Sequence, residues 1–530
     1  MQSVKDPIMD SLLQIRLTVS CSDLVKREAT SNVNPVCILW AKNKGRWEEL
    51  KRTEELKDSL NPRWATDFVL DYKFEERQLL KFEVLDKVDP LGQMECSLGE
   101  LVANQISGFS KDLVNGDKSP AGKIFVQAEE LVAQGAKEIV ELVFAGQELD
   151  DKDILDKSDP FMEISKVNED GGFSMVHRTE TVDNDLNPVW KPITIEVSKL
   201  CNCDYNRQLK FDVFDEDFGG KNDFIGSFLT TLQTLMAGPG PLNTYEVINA
   251  KDRQKPKYTN SGKVLLKGIK VTTQPTFLDF LSRGLQLNFT VAVDFTASNG
   301  LPTNPLSLHY SSKDEEGCNE YETVVRSIGE ILQDYDANKL CEALGFGAIV
   351  PPSIEVSHQF NLKNLKELDI DGNREMCHGV EGVIDAYKKS LNVVELHGPT
   401  HFAPVIEHMA RQAERYNSEP TVYSILLIIT DGIMTDMEAT KEAIIKASGL
   451  PLSIIIVGVG DEDFSQMEQL DVDHLQIGTN VAKRDIVQFI EMNPEEEDHE
   501  VVGVRNKEGL AKEVLKEVPK QVTKYTVLEV

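Results

Sequence analysis

The sequence predicts a multidomain chain: two all-β antiparallel sandwiches followed by an α/β, doubly wound domain. Three observations predict it. Up to about residue 270, short alternating stretches such as 13–19, 141–144 and 209–214 are separated by Gly, Pro, Asn and Asp, and period-two alternation between turn residues is the pattern of half-buried antiparallel strands. Within that part, landmarks recur at a nearly constant offset. Asn34-Pro35 and Asp159-Pro160 are 125 apart, Asn61-Pro-Arg-Trp64 and Asn187-Pro-Val-Trp190 are 126 apart, and Phe82-Glu-Val-Leu-Asp86 and Phe211-Asp-Val-Phe-Asp215 are 129 apart. An ordered set at one offset implies a duplicated unit. Beyond residue 271 the strand candidates are apolar throughout and alternate with helical stretches, as in a mainly parallel sheet covered on both faces.

The domain limits expected are 1–132, 133–273 and 274–530, the last with a C-terminal helical extension over 509–518. A chain of 530 residues is too long for one ordinary core, and 41% apolar residues is a globular rather than a disordered composition. Lys and Arg number 56 against 88 Asp and Glu, a formal charge of −32. That balance excludes a nucleic-acid binder held by general electrostatics. It also means that contact with an anionic membrane must overcome repulsion or be switched on by bound cations. The eight cysteines form no CxxC pair and read as thiols of a reducing compartment. No leader pattern opens the chain, and the longest apolar strand candidates, at 425–429 and 454–459, are far short of a membrane span. The expectation is a soluble intracellular protein with peripheral membrane association only.

The second repeat carries an ordered acidic set. Asp153 and Asp159 are six apart, and Asp215, Asp217 and Asp223 follow at spacings of two and six. Five carboxylates in two loops between strands repel one another if they converge, and need a hard cation such as Ca2+, which takes about six to eight oxygens in flexible geometry. This arrangement resembles a C2 domain, an eight-stranded sandwich that binds Ca2+ in the loops at one end. The resemblance implies that Asp153, Asp159, Asp215, Asp217 and Asp223 hold two or three Ca2+ ions. Ile154, Leu155 and Phe218 near the loop tips are expected to touch the membrane interface. The first repeat departs from the pattern. Its matching positions are Glu28 and Asn34, and the loop after Asp86 runs through Val88 and Asp89 with about five residues fewer. It is expected to bind Ca2+ poorly or not at all. The basic stretch 251–270, with seven Lys or Arg and one Asp, reads as a solvated loop and last strand.

Residues 271–530 hold 21 basic and 43 acidic residues, so they supply −22 of the −32. Three apolar strand candidates end in polar residues. One runs into Asp294-Phe-Thr296-Ala-Ser298, another into Thr430-Asp431-Gly432, and the third into Gly460-Asp461. Carboxyl ends of such strands are where α/β sheets bind ligands. Asp294-x-Thr296-x-Ser298, Thr400 and Asp431 resemble the metal-ion-dependent adhesion site of von Willebrand factor A domains. The resemblance implies a Mg2+ or Mn2+ ion with one position left for a partner's carboxylate. Hydroxyls add oxygen ligands without adding charge, which keeps the ion electrophilic. Thr400 also competes as the cap of the helix that follows it.

The order C2, C2, A domain resembles the copine family, as do Pro275-Thr-Phe-Leu-Asp-Phe-Leu281 and Leu344-Gly-Phe-Gly-Ala348 followed by Pro351-Pro352. The resemblance implies a cytoplasmic protein that moves to acidic membranes, the plasma membrane among them, when Ca2+ rises. Its A domain would recruit intracellular proteins, and the nucleus is a second compartment to consider. Two rival readings are a metal-dependent enzyme, kinase-like or hydrolytic, and a cytoskeletal scaffold with structural metals. Against the enzyme, no Gly-rich phosphate loop with a following Lys and no Gly-x-Ser-x-Gly is present, and His378, His397, His401 and His408 form no recognisable transition-metal set. The acidic stretch 491–500 reads as a solvated loop.

Overall fold

The computed structural model describes residues 13–25, 33–105, 108–131, 137–152, 157–216, 222–311, 318–365, 375–416, 421–472, 474–492 and 507–528. By its internal contacts the chain divides into two units, Val132–Thr276 and the pair of segments Met1–Leu131 and Phe277–Val530.

The first repeat contributes β1 (Leu13–Ser22), β2 (Pro35–Asn43), β3 (Arg46–Arg52), β4 (Phe68–Tyr72), β5 (Leu79–Asp86), β6 (Asp89–Ser97), β7 (Phe109–Val114) and β8 (Pro120–Leu131). The second contributes β9 (Glu138–Gln147), β10 (Pro160–Val167), β11 (Phe173–Arg178), β12 (Ile193–Glu196), β13 (Gln208–Asp215), β14 (Asp223–Thr231), β15 (Thr244–Glu246) and β16 (Lys263–Thr273). The second forms two sheets, β11-β10-β13-β14 and β12-β9-β16-β15. The first has the same order strand for strand, β3-β2-β5-β6 and β7-β8-β1-β4, joined into one sheet by a single β6–β7 pair, Gln93 with Val114.

The repeated Asn-Pro-x-Trp motif has the same job in both copies. Trp64 and Trp190 are buried, and each indole N–H donates to the carbonyl of the proline that opens the partner strand, Pro35 at 3.3 Å and Pro160 at 3.2 Å. Asn61 and Asn187 accept backbone N–H groups of Asp23 and Glu148 at 3.0 and 2.9 Å. A buried indole needs a partner for its N–H, which is why the motif survives as a unit in the duplication.

The third region contains β17 (Gln286–Asp294), β18 (Leu340–Phe346), β19 (Val422–Thr430), β20 (Leu452–Gly458) and β21 (Val487–Glu491). They form a parallel sheet in the order β18-β17-β19-β20-β21, with the short strand Phe360–Asn361 antiparallel outside β18. Both faces are buried. Ile425, Leu427 and Ile429 join a cluster with Val324, Ile328, Val380 and Val383 of the helices Glu320–Leu332 and Gly379–Ser390. Leu426 and Ile428 join another with Val405, Ile406 and Met409 of the helix Ala403–Ala413 and with Ala443 and Ile444 of Met437–Ala447. A strand covered on both sides has no polar face to show, hence the continuous apolar run. The C-terminal extension is two helices, Lys507–Leu515 and Val518–Leu528, rather than the one expected over 509–518. Pro519 sits in the first turn of the second, where its missing N–H costs nothing, and would break a continuous helix.

Within the two-segment unit, the first sandwich and the α/β domain share one hydrophobic cluster. Phe74 lies 5.0 Å, ring to ring, from both Phe277 and Tyr335. The hydroxyls of Tyr72 and Tyr335 meet at 2.7 Å, and Ser97 donates to Asp334 at 2.6 Å. Burial pushes the Asp334 carboxyl above its ordinary range, although Arg77 lies 3.6 Å away. Gly99 is required because a Cβ there would lie 2.8 Å from the Tyr335 hydroxyl. Sequence reading left open whether these domains are packed or strung on linkers; these two are packed.

Truncating Phe74 tests that docking. Phe74→Ala removes a buried ring from both domains at once and is expected to destabilise the two-segment unit by about 3–5 kcal/mol in urea unfolding, leaving the second sandwich's transition in place. A loss under about 1 kcal/mol would mean that the ring is not held between them.

Candidate metal centres

At one end of the second sandwich, neighbouring strands bring acids to a common rim. Asp159 immediately precedes β10, Asp215 ends β13 and Asp223 begins β14. Asp215 pairs in register with Pro160 on one side and Asp223 on the other. Asp215 Oδ1 accepts the Asp159 N–H at 2.6 Å, and Asp159 Oδ1 accepts the Asn184 N–H at 2.6 Å. Asp215 is fully buried, and its Oδ2 is buried with no hydrogen-bond partner. A carboxylate oxygen left bare at such a place is costly unless a cation meets it. The oxygens gathered here fit a hard ion such as Ca2+. Glu216 is turned elsewhere, to Arg178 at 2.8 Å and Thr181 at 2.5 Å. Asp153 and Asp217, and the tip residues Ile154, Leu155 and Phe218, lie outside the described residues.

The first sandwich keeps the same bonds with less charge. Asp86 Oδ1 accepts the Asn34 N–H at 2.9 Å, and Asn34 Oδ1 accepts the Asp58 N–H at 2.9 Å. Asn34 thus occupies the place of Asp159 with a neutral amide. Asp86 and Asp89 pair directly across a two-residue turn with Lys87 at φ 57°. Glu28 lies outside the described residues.

In the α/β domain the chain leaves β17 toward β18 and later returns on the other side as β19. The carboxyl ends of β17 and β19 therefore flank the point where strand order reverses, the place where such sheets accept ligands. Asp294 ends β17, Asp431 follows β19, and both are buried. Asp294 accepts the Thr296 N–H at 2.8 Å on Oδ1 and the Thr430 hydroxyl at 2.6 Å on Oδ2. The hydroxyls of Thr296 and Ser298 meet at 2.9 Å, and Ser298 donates to Asp431 Oδ1 at 3.1 Å. Gly347, at φ +80°, lets this loop close, because a Cβ there would collide with Thr296 Cγ2.

Thr400 is buried, its carbonyl accepting both the N–H and the hydroxyl of Thr435 at 3.0 Å; three residues before it, the His397 carbonyl accepts the Ala297 N–H of that loop at 2.6 Å. It does not cap the following helix. Asp436 does, accepting the N–H groups of Phe402 and Ala403 at 3.1 and 2.9 Å. Sequence reading missed both Asp436 and Thr430; the signal for Thr430 was a lone hydroxyl ending an apolar strand before Asp431-Gly432. His401 lies against His358 with ring centroids 4.2 Å apart and planes tilted by 36°, and His408 Nε2 lies 3.2 Å from Glu342.

Among the described residues no three His, Cys, Asp or Glu side chains converge as a metal-binding group. The α/β cup instead joins two carboxylates to neutral hydroxyls. Burial, then the neighbouring Asp294, pushes the Asp431 carboxyl up to about 7, and burial also raises Asp294. Two adjacent buried acids, with hydroxyl oxygens within reach of Asp431 Oδ1, Ser298 the nearer at 3.1 Å, fit a divalent cation held with few negative charges.

A pH dependence follows. Without metal, the folded chain keeps a proton on Asp431 that the unfolded chain releases near the ordinary carboxylate value, so stability falls as pH rises towards about 7. Metal competes with that proton. Mg2+ or Mn2+ is therefore expected to raise Tm more at about pH 8 than at about pH 5.5; equal shifts would exclude Asp431 as a ligand.

A copine family model matches residues 307–530, and a C2 domain model matches residues 13–113 and 138–247. Among solved structures, BON1-C2B is similar over 26% of this chain and 94% of its own, at 27% identity and a TM-score of 0.22. The calcium-bound tandem C2 domains of Extended-Synaptotagmin 2 are similar over 49% of this chain and 97% of their own, at 16% identity and a TM-score of 0.21. A C2 domain of RIM from Drosophila is similar over 19% of this chain and 79% of its own, at 22% identity and a TM-score of 0.16. The family models identify the chain where these structural overlaps do not. Two C2 domains followed by a copine domain match the architecture of the copine family, a non-catalytic adaptor arrangement suited to membrane and protein contacts.

Proposed function

We propose that this protein is a calcium-gated adaptor, with domains at 1–132, 133–273 and 274–530. Its second C2 domain binds acidic phospholipid when Ca2+ fills the rim made by Asp153, Asp159, Asp215, Asp217 and Asp223. Its A domain holds Mg2+ or Mn2+ through Asp294, Thr296, Ser298, Thr400 and Asp431, and captures an acidic group of an intracellular protein. The protein then cycles between the cytoplasm and the plasma membrane; nucleic acid is not among its ligands. The observation that carries the reading is the buried, partnerless oxygen of Asp215 between Asp159 and Asp223. Without calcium the rim repels anionic lipid. With calcium it becomes cationic and takes lipid phosphate or carboxylate oxygens as outer ligands. Among the described residues no helix is long and apolar enough to cross a membrane, so attachment in this reading rests on the rim.

Cosedimentation of the full chain with phosphatidylserine vesicles tests it. Binding is expected with Ca2+, not with a chelator, and is expected to be lost in Asp217→Asn/Asp223→Asn with the fold intact. Asp294→Ala/Ser298→Ala is expected to keep lipid binding and lose partner capture. Lipid binding that ignores calcium would leave the scaffold reading instead, and partner capture that survives the second pair of changes would remove the A-domain cup from the account.

A further inference from the structure

The mouth of the A-domain cup is unlike the rest of that domain's surface. Of the seven large apolar residues exposed after residue 277 among the described residues, four stand in the loops that carry or touch the cup. Leu301 is 70% exposed, Leu306 89%, Ile354 89% and Ile433 48%. Leu301 lies three residues beyond Ser298. Leu306 is on the same loop, which folds back so that Leu308 donates its N–H to the Asn299 carbonyl at 3.1 Å and lies against Gly460 at the end of β20. Ile433 is two residues beyond Asp431, next to Gly432, which faces the Ser298 hydroxyl. Ile354 is on the turn between Ala348–Ile349 and Val356–Ser357, whose base at Gly347 packs on Thr296. Pro302, Pro305, Pro351 and Pro352 stiffen these turns, so holding the apolar side chains outward sacrifices little freedom on binding.

The charge of the mouth is equally biased. The loops 295–311, 347–359, 397–402, 432–436 and 459–464 contain no Lys or Arg. Exposed acids stand among them: Glu355 beside Ile354, and Asp461, Glu462 and Asp463 at the end of β20. Among the described residues these loops offer a carboxylate no cationic side chain, and a ligand rich in acids would be repelled by Glu355 and Asp461–Asp463.

We infer that the A-domain cup accepts a protein segment carrying one isolated carboxylate flanked by large apolar side chains, with Lys or Arg further out. The carboxylate completes the metal's coordination, the apolar flanks bury Leu301, Leu306, Ile354 and Ile433, and the basic ends meet Glu355 and Asp461–Asp463. This rests on the cup holding a metal, as proposed above. The acidic collar favours a basic peptide over an anionic membrane, whose negative surface potential it would repel.

Fluorescence anisotropy on the full chain with Mn2+ tests it, using a labelled peptide with one Glu, Leu on both sides and Lys at both ends. Electron paramagnetic resonance reports Mn2+ occupancy independently. The Leu-flanked peptide is expected to bind about tenfold tighter than the same peptide with Ser flanks, and to lose binding when its Glu becomes Gln. Leu306→Ser and Ile354→Ser are expected to weaken it about tenfold while leaving Mn2+ occupancy unchanged. Flank-independent binding with Mn2+ bound would overturn the inference and leave the cup standing. No Mn2+ occupancy would overturn both. Calcium-free, Mn2+-dependent binding to phosphatidylserine vesicles that Leu306→Ser abolishes would assign the rim to a membrane and overturn the peptide reading.

Discussion

Buried acids without a matching positive side chain set the terms for this protein. Asp215 buries one carboxylate oxygen with nothing to accept from. Asp294 and Asp431 lie side by side at the end of one sheet, and burial raises both. Like charges held this way in low dielectric must take up protons or cations. Both sites sit where strand ends fix the backbone, so the protein holds the oxygens in place rather than letting them part. The fold therefore creates a demand for cations, and the function proposed above is what satisfying that demand would allow.

The two sites meet the demand differently. The sandwich rim gathers carboxylates, so an ion bound there would reverse a negative surface. The A-domain cup dilutes two carboxylates with the hydroxyls of Thr296 and Ser298, which would leave a bound ion with unspent positive charge. The first sandwich marks the boundary of the first design. It retains the bonds among Asn34, Asp58 and Asp86, yet an amide replaces the acid at Asn34 and the loop after Asp86 shrinks to a two-residue turn. Elsewhere the same sandwich meets the A domain through Phe74, Ser97 and their partners Tyr335 and Asp334. One copy of a duplicated unit has thus been built into the body of the A domain.

Much of this was legible in the residues. The repeat offset gave the duplication because Trp64 and Trp190 each have one indole N–H to satisfy and the same proline carbonyl to satisfy it. The parallel sheet was legible because strands buried on both faces must be apolar throughout. The spacing of Asp159, Asp215 and Asp223 was legible because strand ends in a sandwich adjoin in register. The rest depends on contacts between distant segments. Nothing local told that Asp436, rather than Thr400, would cap the helix Ala403–Ala413, since the two lie far apart in sequence. Nor did any local pattern reveal that Tyr72 and Tyr335, 263 residues apart, share a hydrogen bond. Pro519 directly follows the helix expected over 509–518, but only packing decides that helix continues on both sides of it.

Calcium titration calorimetry on the full chain addresses the central claim most directly, because it asks whether the acids of the second sandwich form an ion site before any lipid is present. Saturable calcium binding that disappears in Asp217→Asn/Asp223→Asn is the predicted result. Absence of calcium binding in the unaltered protein, or binding untouched by that pair of substitutions, would contradict it.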